Sequence, residues 1–532
     1  MNTSPSSAAA PEYAETKTLL GHPVGLFLLF CVEMWERFSY YGMRAILGLY
    51  LKAPLAAMLQ DGKPNTNPGR GWAESDASNL SGWYTGLAYL LPILGGLIAD
   101  RLIGTHRSMI VGGLLIALGH IVLAVSGLGD LGQSEMGMTI FVGGLALIII
   151  GTGHFKPSVS VMVGQLYKPG DARRDGAFSI FYMGINLGAF ICPYVCGTLG
   201  EKVGWHWGFG SAAVGMLAGL GMYLILRAKF LPGIGLPPEG KGGAAPLFFF
   251  NGIVLSAVVA FAYHAGVLGK IDAIASNKYV LGGLGAAGVL WMVWFIARQA
   301  REDRGPVASI FLFMIFNMLF WAGFEQASTS INFFTDSKTD RMMGSFEVPT
   351  SWFQSVNPLC ILILAPVFGW LWGWLGRRNA NPSQPAKIGY GLMLLGLGYS
   401  LMTLAAIQAK TDPAKASMYL VAGTYIIHTF GELCLSPTGL SYVTKAAPKN
   451  AVSLLMGVWF LSSFVGNFAS GKLAAKAPLF DQPASELGIF RTFHLGGQAD
   501  FFVWFLVAPI ALGFLVLLAS PALKRLMRNP ND

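Results

Sequence analysis

Long apolar stretches alternate with short polar segments along almost the whole chain. A helix needs about 20 residues to cross roughly 30 Å of hydrocarbon, and fourteen stretches approach or exceed this length. They lie at approximately 24–52, 80–102, 108–127, 138–164, 176–198, 207–228, 248–268, 278–297, 308–334, 352–375, 386–407, 417–442, 451–473 and 500–522. Barrel strands are far shorter, so the backbone has to satisfy its hydrogen bonds as helices. The pattern predicts an all-α polytopic membrane protein with 14 transmembrane helices.

The composition indicates lipid as the solvent. Of the 532 residues, 54% are hydrophobic and only 12% are charged, and the mean hydropathy is +0.54. An ordinary soluble chain carries about a quarter charged residues, which excludes a soluble enzyme. The net charge is +9, but the basic residues sit singly or in pairs between apolar runs, so nucleic acid is not an expected partner. The five cysteines lie within apolar runs without metal-ligand spacing, and we expect neither a disulfide nor a bound metal.

The two ends of the chain are polar tails. Residues 1–20 are rich in Ser, Ala and Pro and lack the features of a signal peptide, and residues 526–532 follow the last apolar run. Loops that would be cytoplasmic if the chain starts inside carry more Lys and Arg than the opposite loops. We therefore expect both tails, 1–20 and 526–532, to be cytoplasmic.

A weak internal repeat divides the chain into two halves. A Gly-flanked basic turn at Gly95–Gly104 follows the second apolar stretch, and a degenerate copy at Gly369–Arg378 follows the tenth. Two such turns are typical of the repeated six-helix halves of major facilitator transporters. We predict an N-terminal six-helix bundle at 21–231, a C-terminal six-helix bundle at 306–525, and between them a linker with an inserted helix hairpin at 232–305. Because the hairpin spans carry no acid, we expect the hairpin to be dispensable.

Several ionisable side chains fall inside predicted spans, where charges are costly and usually functional. They are Glu33, Glu36, Arg37, Arg44, Lys156, Glu325 and Glu432. Two structural explanations stay open for any one of them: the helix ends are misplaced and the side chain reaches the interface, or a charge pair only specifies packing. The whole set is better explained by a cavity that serves a function.

One face of the first predicted helix is polar throughout. At about 100° per residue, four of its side chains fall within about 40°, with two more beside them. These are Glu33, Arg37, Tyr40 and Arg44, flanked by Glu36 and Tyr41. Lipid cannot solvate such a face, so it should line a cavity. Two acids around the single Arg37 leave one acid under-compensated, and a carboxylate of this kind can exchange its partner for a proton. The pattern indicates proton coupling.

Six motifs in consistent helix positions carry a family resemblance. They are Glu33–Arg44 with the pattern ExxER, Phe155–Pro157, Phe181–Ala189, Trp321 with Glu325–Gln326, Phe353–Pro358, and Gly431–Pro437. Together they resemble the bacterial members of the proton-dependent oligopeptide transporter family, within the major facilitator superfamily. The resemblance extends from about Gly21 to Arg525 and includes the inserted hairpin.

The resemblance implies a proton-coupled symporter that imports di- and tripeptides by alternating access. It would lie in the cell inner membrane as a multi-pass protein, would need no cofactor beyond the proton gradient, and would not require an oligomer. The alternative is a carrier of the same family for another small anionic or zwitterionic solute, such as nitrate. An intramembrane enzyme would need a nucleophile with a base, or metal ligands, inside the spans, and neither is present in the sequence.

The resemblance also implies roles for individual residues. Proton coupling falls to Glu33, Glu36, Arg37 and Glu325. The peptide carboxylate would meet Arg44 and Lys156, and the peptide ammonium would meet Glu432, Asn186 and Asn357. The remaining predicted peptide-binding residues are Tyr40, Tyr41, Tyr89, Tyr182, Trp321, Trp459 and Ser436. For each aromatic residue, packing at a helix interface is the competing interpretation.

Two gating pairs complete the expectation. Arg44 with Glu325 would close the outside, and Lys156 with Glu432 would close the inside. The sequence departs from mammalian members of the family at Gly82, which occupies the position of a histidine seven residues before the pocket tyrosine. The proton should therefore enter without that histidine.

Overall fold

The computed structural model describes residues 17–57, 59–60, 63–168, 170–238, 240–411, 415–448, 451–482 and 493–527. For a few of these, Ser436 among them, it describes the backbone alone, so the predicted role of the Ser436 side chain lies outside the described part. Most of the two predicted tails also lies outside it. The helices are α1 Val24–Lys52, α2 Glu74–Ile98, α3 Thr105–Val125, α4 Glu135–Gln165, α5 Arg174–Cys192, α6 Trp205–Phe230, α7 Ala245–His264, α8 Val267–Ala275, α9 Lys278–Arg298, α10 Arg301–Phe324, α11 Ser330–Lys338, α12 Val356–Arg377, α13 Gln384–Thr411, α14 Met418–Ala446, α15 Val452–Ala474 and α16 Gln498–Leu526.

Thirteen helical segments of the described residues are long and apolar enough to cross a membrane. Helix α1 is not one of them because of its charged side chains, although its 29 residues would extend about 43 Å. With α1 included, the segments agree with the predicted fourteen. The all-α membrane fold is confirmed, and the hairpin region gains a short third helix, α8, that the apolar pattern did not predict.

The ninth span is broken where the sequence predicted one continuous helix over 308–334. Helix α10 ends at Phe324, a 3₁₀ turn covers Glu325–Ser328, and α11 begins at Ser330. Polar side chains stabilise the break: Gln326 Nε2 donates to the Ser470 carbonyl at 3.0 Å, and Ser330 Oγ donates to Gln326 Oε1 at 2.6 Å. The break places Glu325 at a helix end between the two halves.

Within the described ranges, eight two-residue strands form four small ladders in the loops. Three ladders are antiparallel hairpins and the fourth is parallel. The pairs are Thr18–Leu19 with His22–Pro23, Leu59–Gln60 with Lys63–Pro64, Met342–Met343 with Phe346–Glu347, and Thr339–Asp340 with Ala416–Ser417. The parallel pair ties the segment after α11 to the start of α14.

The helices pack as two bundles with the hairpin beside them. Helix α1 packs on α5 and α6, and α3 packs on α4 and α6, whereas α13 packs on α14 and α16. A large apolar core fills the second bundle, and two further cores fill the first. Helix α7 packs on α3 and α4, and most of α9 faces outward.

The two bundles meet mainly at one membrane face. We call this the α1–α2 face because α1 ends and α2 begins there, and we call the opposite one the α2–α3 face. At the α1–α2 face, α2 packs on α15 and the end of α1 packs on α11. Lys202 of the first bundle pairs with Glu347 at 2.8 Å, and Glu201 accepts the backbone N–H groups of Thr350 and Ser351 at 2.7 and 2.8 Å. The α1–α2 face is closed in this conformation.

Candidate functional site

A cavity of about 310 Å³ lies between the bundles. This volume is within the range of pockets for small molecules, about 300–1,000 Å³. Helices α1, α2, α4 and α5 form one wall, and α10, α12 and α14 form the other. The predicted residues that line it are Glu33, Arg37, Tyr41, Arg44, Tyr89, Lys156, Tyr182, Asn186, Trp321, Glu325, Asn357 and Glu432.

Among the predicted residues whose side chains the structure describes, three do not line this cavity. Glu36 is fully buried behind the wall. The Tyr40 ring stacks on Tyr84 with centroids 6.0 Å apart, and Trp459 belongs to the apolar core of the second bundle. In this conformation the Tyr40 and Trp459 side chains pack between helices and do not line the cavity, so their predicted role in peptide binding stays a prediction.

Glu33, Glu36 and Arg37 form one buried cluster on α1. Arg37 Nε donates to Glu33 Oε1 at 2.7 Å and lies 2.9 Å from Glu36 Oε2. The same nitrogen therefore serves both carboxylates. Among the described residues, neither oxygen of Glu36 has a hydrogen bond. With both acids ionised the cluster carries a formal charge of −1, and one proton would neutralise it.

Arg44 and Glu325 form an ion pair between the bundles. Arg44 comes from α1, and Glu325 comes from the 3₁₀ turn that interrupts the ninth span. Arg44 Nη2 also donates to Ser328 Oγ at 2.9 Å, in the same turn. Both charged side chains are buried, so each depends on the other for its neutralisation. The first predicted gating contact is present, and it lies toward the closed face.

Lys156 has no acidic partner among the described residues. It lies on α4, and its Nζ is 4.0 Å from the centroid of the Tyr89 ring on α2. A cation over an aromatic face is stabilised, but less than by a carboxylate. Lys156 and Glu432 line the same cavity without forming an ion pair. The predicted pairing of these two residues is not formed in this conformation and stays a prediction.

Glu432 is held by its own bundle instead. Its Oε2 accepts a hydrogen bond from Asn357 Nδ2 at 2.9 Å, and the same amide donates to Thr429 Oγ1 at 2.9 Å. Asn186, on the opposite wall, donates to the Tyr182 carbonyl of its own helix at 3.0 Å. The structure therefore joins Asn357 to Glu432 and leaves Asn186 apart from them.

Sequence reasoning missed several polar residues that line the cavity. Gln354 lies within the Phe353–Pro358 motif, and its buried Nε2 has no partner among the described residues. His428 lies one helical turn before Glu432, which was the signal that could have identified it. His154 lies near Lys156 in sequence, but it bonds Ser108 Oγ at 3.1 Å and does not line the cavity.

A polar cavity between two membrane-embedded bundles, with cations on one wall and an acid on the other, defines a carrier of small solutes. A profile of the POT family (PTR2) matches residues 106–488. The chain belongs to the POT family. It is 37% identical over 530 residues to the peptide transporter YePEPT of Yersinia enterocolitica, covering 96% of this chain and 97% of that protein. It is 36% identical over 523 residues to a di-/tripeptide transporter of Lactococcus lactis subsp. lactis, covering 96% and 98%.

Solved structures share the fold over nearly the whole chain. The peptide transporter POT in complex with sulfate is 35% identical, with a TM-score of 0.76 and coverage of 97% of this chain and 98% of that one. A mutant of peptide transporter POT has been solved with alafosfalin at the same TM-score of 0.76. A POT family transporter in complex with 5-aminolevulinic acid is 31% identical, with a TM-score of 0.76 and coverage of 96% and 98%. The predicted family and the major facilitator fold class are confirmed.

Proposed function

We propose that this protein is a proton-coupled symporter that imports di- and tripeptides by alternating access. The observation that carries the proposal is the placement of opposite charges on opposite walls of one cavity. Lys156 and Arg44 face it from the first bundle, and Glu432 faces it from the second. Every free peptide presents a carboxylate and an ammonium at its two ends, whatever its side chains. A site of this kind selects for length and free termini, and it tolerates different side chains.

Lys156 is the better carboxylate site in this conformation. Arg44 is already neutralised by Glu325, whereas Lys156 contacts the Tyr89 ring and has no ion-pair partner among the described residues. A peptide carboxylate gives Lys156 the partner it lacks. The ammonium then approaches the free oxygen of Glu432, whose other oxygen stays with Asn357. The names of the peptide-transporting relatives support the same substrate class.

Proton coupling is proposed to reside in the cluster of Glu33, Glu36 and Arg37. Two acids sharing one guanidinium nitrogen cannot both be fully compensated, and burial disfavours the extra charge. Binding one proton makes the cluster neutral, which favours a different arrangement of α1. Glu325 would act as the second proton site because its protonation releases Arg44. The gradient supplies the drive, and no cofactor is needed.

The closed α1–α2 face is proposed to be the outer face of the inner membrane, with both termini in the cytoplasm. This conformation then has its outer gate shut and its inner pair, Lys156 and Glu432, apart. It corresponds to an inward-facing state from which a peptide and protons leave. Re-pairing of Lys156 with Glu432 and separation of Arg44 from Glu325 would produce the opposite state.

A second candidate substrate class is a small zwitterion that is not a peptide. A 31% identical POT family transporter was solved with 5-aminolevulinic acid, which carries both an amine and a carboxylate. The same opposed charges would accept such a molecule if its two groups span the cavity. A small anion such as nitrate would use Lys156 and leave Glu432 without a role.

Uptake of labelled dialanine into proteoliposomes tests the proposal. We expect accumulation with an inward pH gradient, equilibration without one, and competition by unlabelled tripeptide. 5-Aminolevulinate and nitrate, added as competitors, separate the alternatives. Uptake that ignores the gradient would overturn proton coupling. Competition by nitrate but not by tripeptide would overturn the peptide assignment.

A further inference from the structure

Helix α8, in the turn of the inserted hairpin, carries an acid that contacts both bundles. Trp83 Nε1 of α2 donates to Asp272 Oδ1 at 2.7 Å. Lys472 Nζ of α15 forms an ion pair with the same oxygen. One carboxylate oxygen on the hairpin thus contacts a side chain from each half of the protein, at the closed α1–α2 face.

The two helices joined by Asp272 are in direct contact there. Helices α2 and α15 cross at Gly82 and Gly471, where a Cβ on Gly82 would lie only 2.8 Å from the Gly471 Cα. One residue further along α2, the Trp83 ring packs edge-on against Phe468 with centroids 4.8 Å apart. Lys472 Nζ lies 5.3 Å from the centroid of the same Phe468 ring. Asp272 therefore covers a seam that must open whenever α2 leaves α15.

The hairpin is attached more firmly to the first bundle at this end. Helix α7, which leads into α8, packs along α3 and α4. Helix α9 meets α10 near its opposite end, where the Phe295 and Phe311 rings lie 6.0 Å apart. On opening of the α1–α2 face, α8 can stay with Trp83 while Lys472 moves away with α15. The contact that has to break is Asp272 to Lys472.

We propose that Asp272 of the inserted hairpin is a latch that stabilises the state in which the α1–α2 face is closed. This inference rests on the alternating access of the proposed function, but it concerns the conformational equilibrium and not the substrate. The apolar pattern led to the expectation that the hairpin is dispensable, because its two spans carry no acid. The acid lies between the spans, in a helix too short to appear in that pattern.

The size of the effect follows from the surroundings of the pair. The side chains of Lys472 and Asp272 are 18% and 30% exposed, so the pair is partly shielded from water. When it separates, both charges become hydrated, which offsets part of the loss. We expect loss of the latch to raise the ratio of open to closed protein about three- to tenfold, in the range of a partly shielded ion pair.

Double electron–electron resonance measures this ratio without substrate. Spin labels replace Met136 at the start of α4 and Tyr419 at the start of α14, both exposed on the α1–α2 face, in a background in which the five native cysteines are replaced. Asp272→Asn and Lys472→Gln should each increase the long-distance population, and the double variant should add little to either. Lys270→Gln, an exposed neighbour on α8, should leave the distribution unchanged.

The exchanged pair, Asp272→Lys with Lys472→Asp, should return the distribution toward the native one. An unchanged distribution in Asp272→Asn would overturn the latch, as would fully additive effects of the two single variants. Dialanine uptake is measured on the same samples. If the variants change the spin-label distances as expected but the native protein transports no peptide, the role of Asp272 stands and the proposed function fails. The two proposals can therefore fail independently.

Discussion

The ammonium of Lys156 lies 4.0 Å from the centroid of the Tyr89 ring, with no acidic partner among the residues that the structure describes. A half-buried cation without an ion-pair partner in the described part of the chain is short of charge compensation. The ring gives it a resting place on the cavity wall. Lys156 is therefore available to an anionic group of the substrate. The contributions of the Lys156 ammonium and of the Tyr89 ring to substrate binding can be measured separately.

Replacing Lys156 by Gln should raise the KM for dialanine by about 30-fold or more, because losing one partner of a buried charge pair costs about 2–5 kcal/mol. Tyr89→Phe keeps the aromatic face and should stay near the native KM. Tyr89→Leu removes it and should change the KM severalfold, as expected for a cation–π contact of about 0.5–2 kcal/mol. Concentration-dependent uptake in proteoliposomes measures all three. A native KM in Lys156→Gln would contradict the assignment.

Glu36→Gln should abolish gradient-driven accumulation while counterflow of peptide continues. The change removes the extra acid beside Arg37 and leaves a cluster that no longer needs a proton. Comparing the two assays on one preparation separates the proton step from substrate binding. Accumulation at the native level together with loss of counterflow would assign Glu36 to the substrate instead.

Glu347 supplies a matched control for pH. The hydrogen bond from Lys202 Nζ, 2.8 Å long, lowers the pKa of the Glu347 carboxyl below its usual value. A lowered pKa means that the pair is intact above the ordinary carboxyl range and is lost only as the pH falls through the lowered value. Between about pH 5 and 8 Glu347 should stay ionised. Glu347→Gln is therefore expected to leave the shape of the pH profile of uptake unchanged, whereas Glu36→Gln should flatten it.

The sequence predicted the helices and most of the cavity wall because both depend on side-chain type at helical spacing. The Glu33–Arg37 pair can be predicted in this way, since residues four apart on one helix are neighbours. Contacts between the two halves of the protein cannot be predicted from the sequence in this way. Nothing local shows that Asn357 and not Lys156 holds Glu432, because that choice depends on the conformation. The role of Asp272 could not be predicted for a similar reason, because its partners lie 189 and 200 residues away in sequence.

The position of Gly82 also has a structural reason. Mammalian relatives place a histidine there by resemblance, but in this protein α2 meets α15 at Gly82 and Gly471 with no room for a side chain. Gly82→Ala should force the helices apart, lowering the stability of the closed state by about 1–3 kcal/mol. The spin-label distances should lengthen and the melting temperature in detergent should fall. Gly221→Ala, on α6 with nothing within 4 Å of its Cβ, is the control and should leave both unchanged.

Glu432 should form an ion pair with the ammonium of the peptide. Because Asn357 Nδ2 occupies Oε2 at 2.9 Å, the other oxygen stays available to the substrate. Acetylation of the peptide amine should therefore weaken transport strongly in the native protein. Glu432→Gln should erase most of that discrimination and lower overall activity. Both expectations are tested by measuring uptake of labelled dialanine in the presence of unlabelled dialanine or of its N-acetyl derivative.

Asn357→Ala tests whether the charge of Glu432 or the fixed orientation of its carboxylate determines the preference for a free peptide amine. Without Nδ2, Glu432 keeps its charge and loses its fixed orientation, so this variant should transport less while still preferring the free amine. Glu432→Gln, in contrast, should lose the preference itself, because a neutral amide has no net charge to attract the ammonium. A Glu432→Gln protein that transports poorly but retains the native ratio between free and acetylated dialanine would exclude Glu432 as the ammonium site. Asn186 and Asn357, the other polar groups predicted for the amino end, would then have to supply it through their amide oxygens.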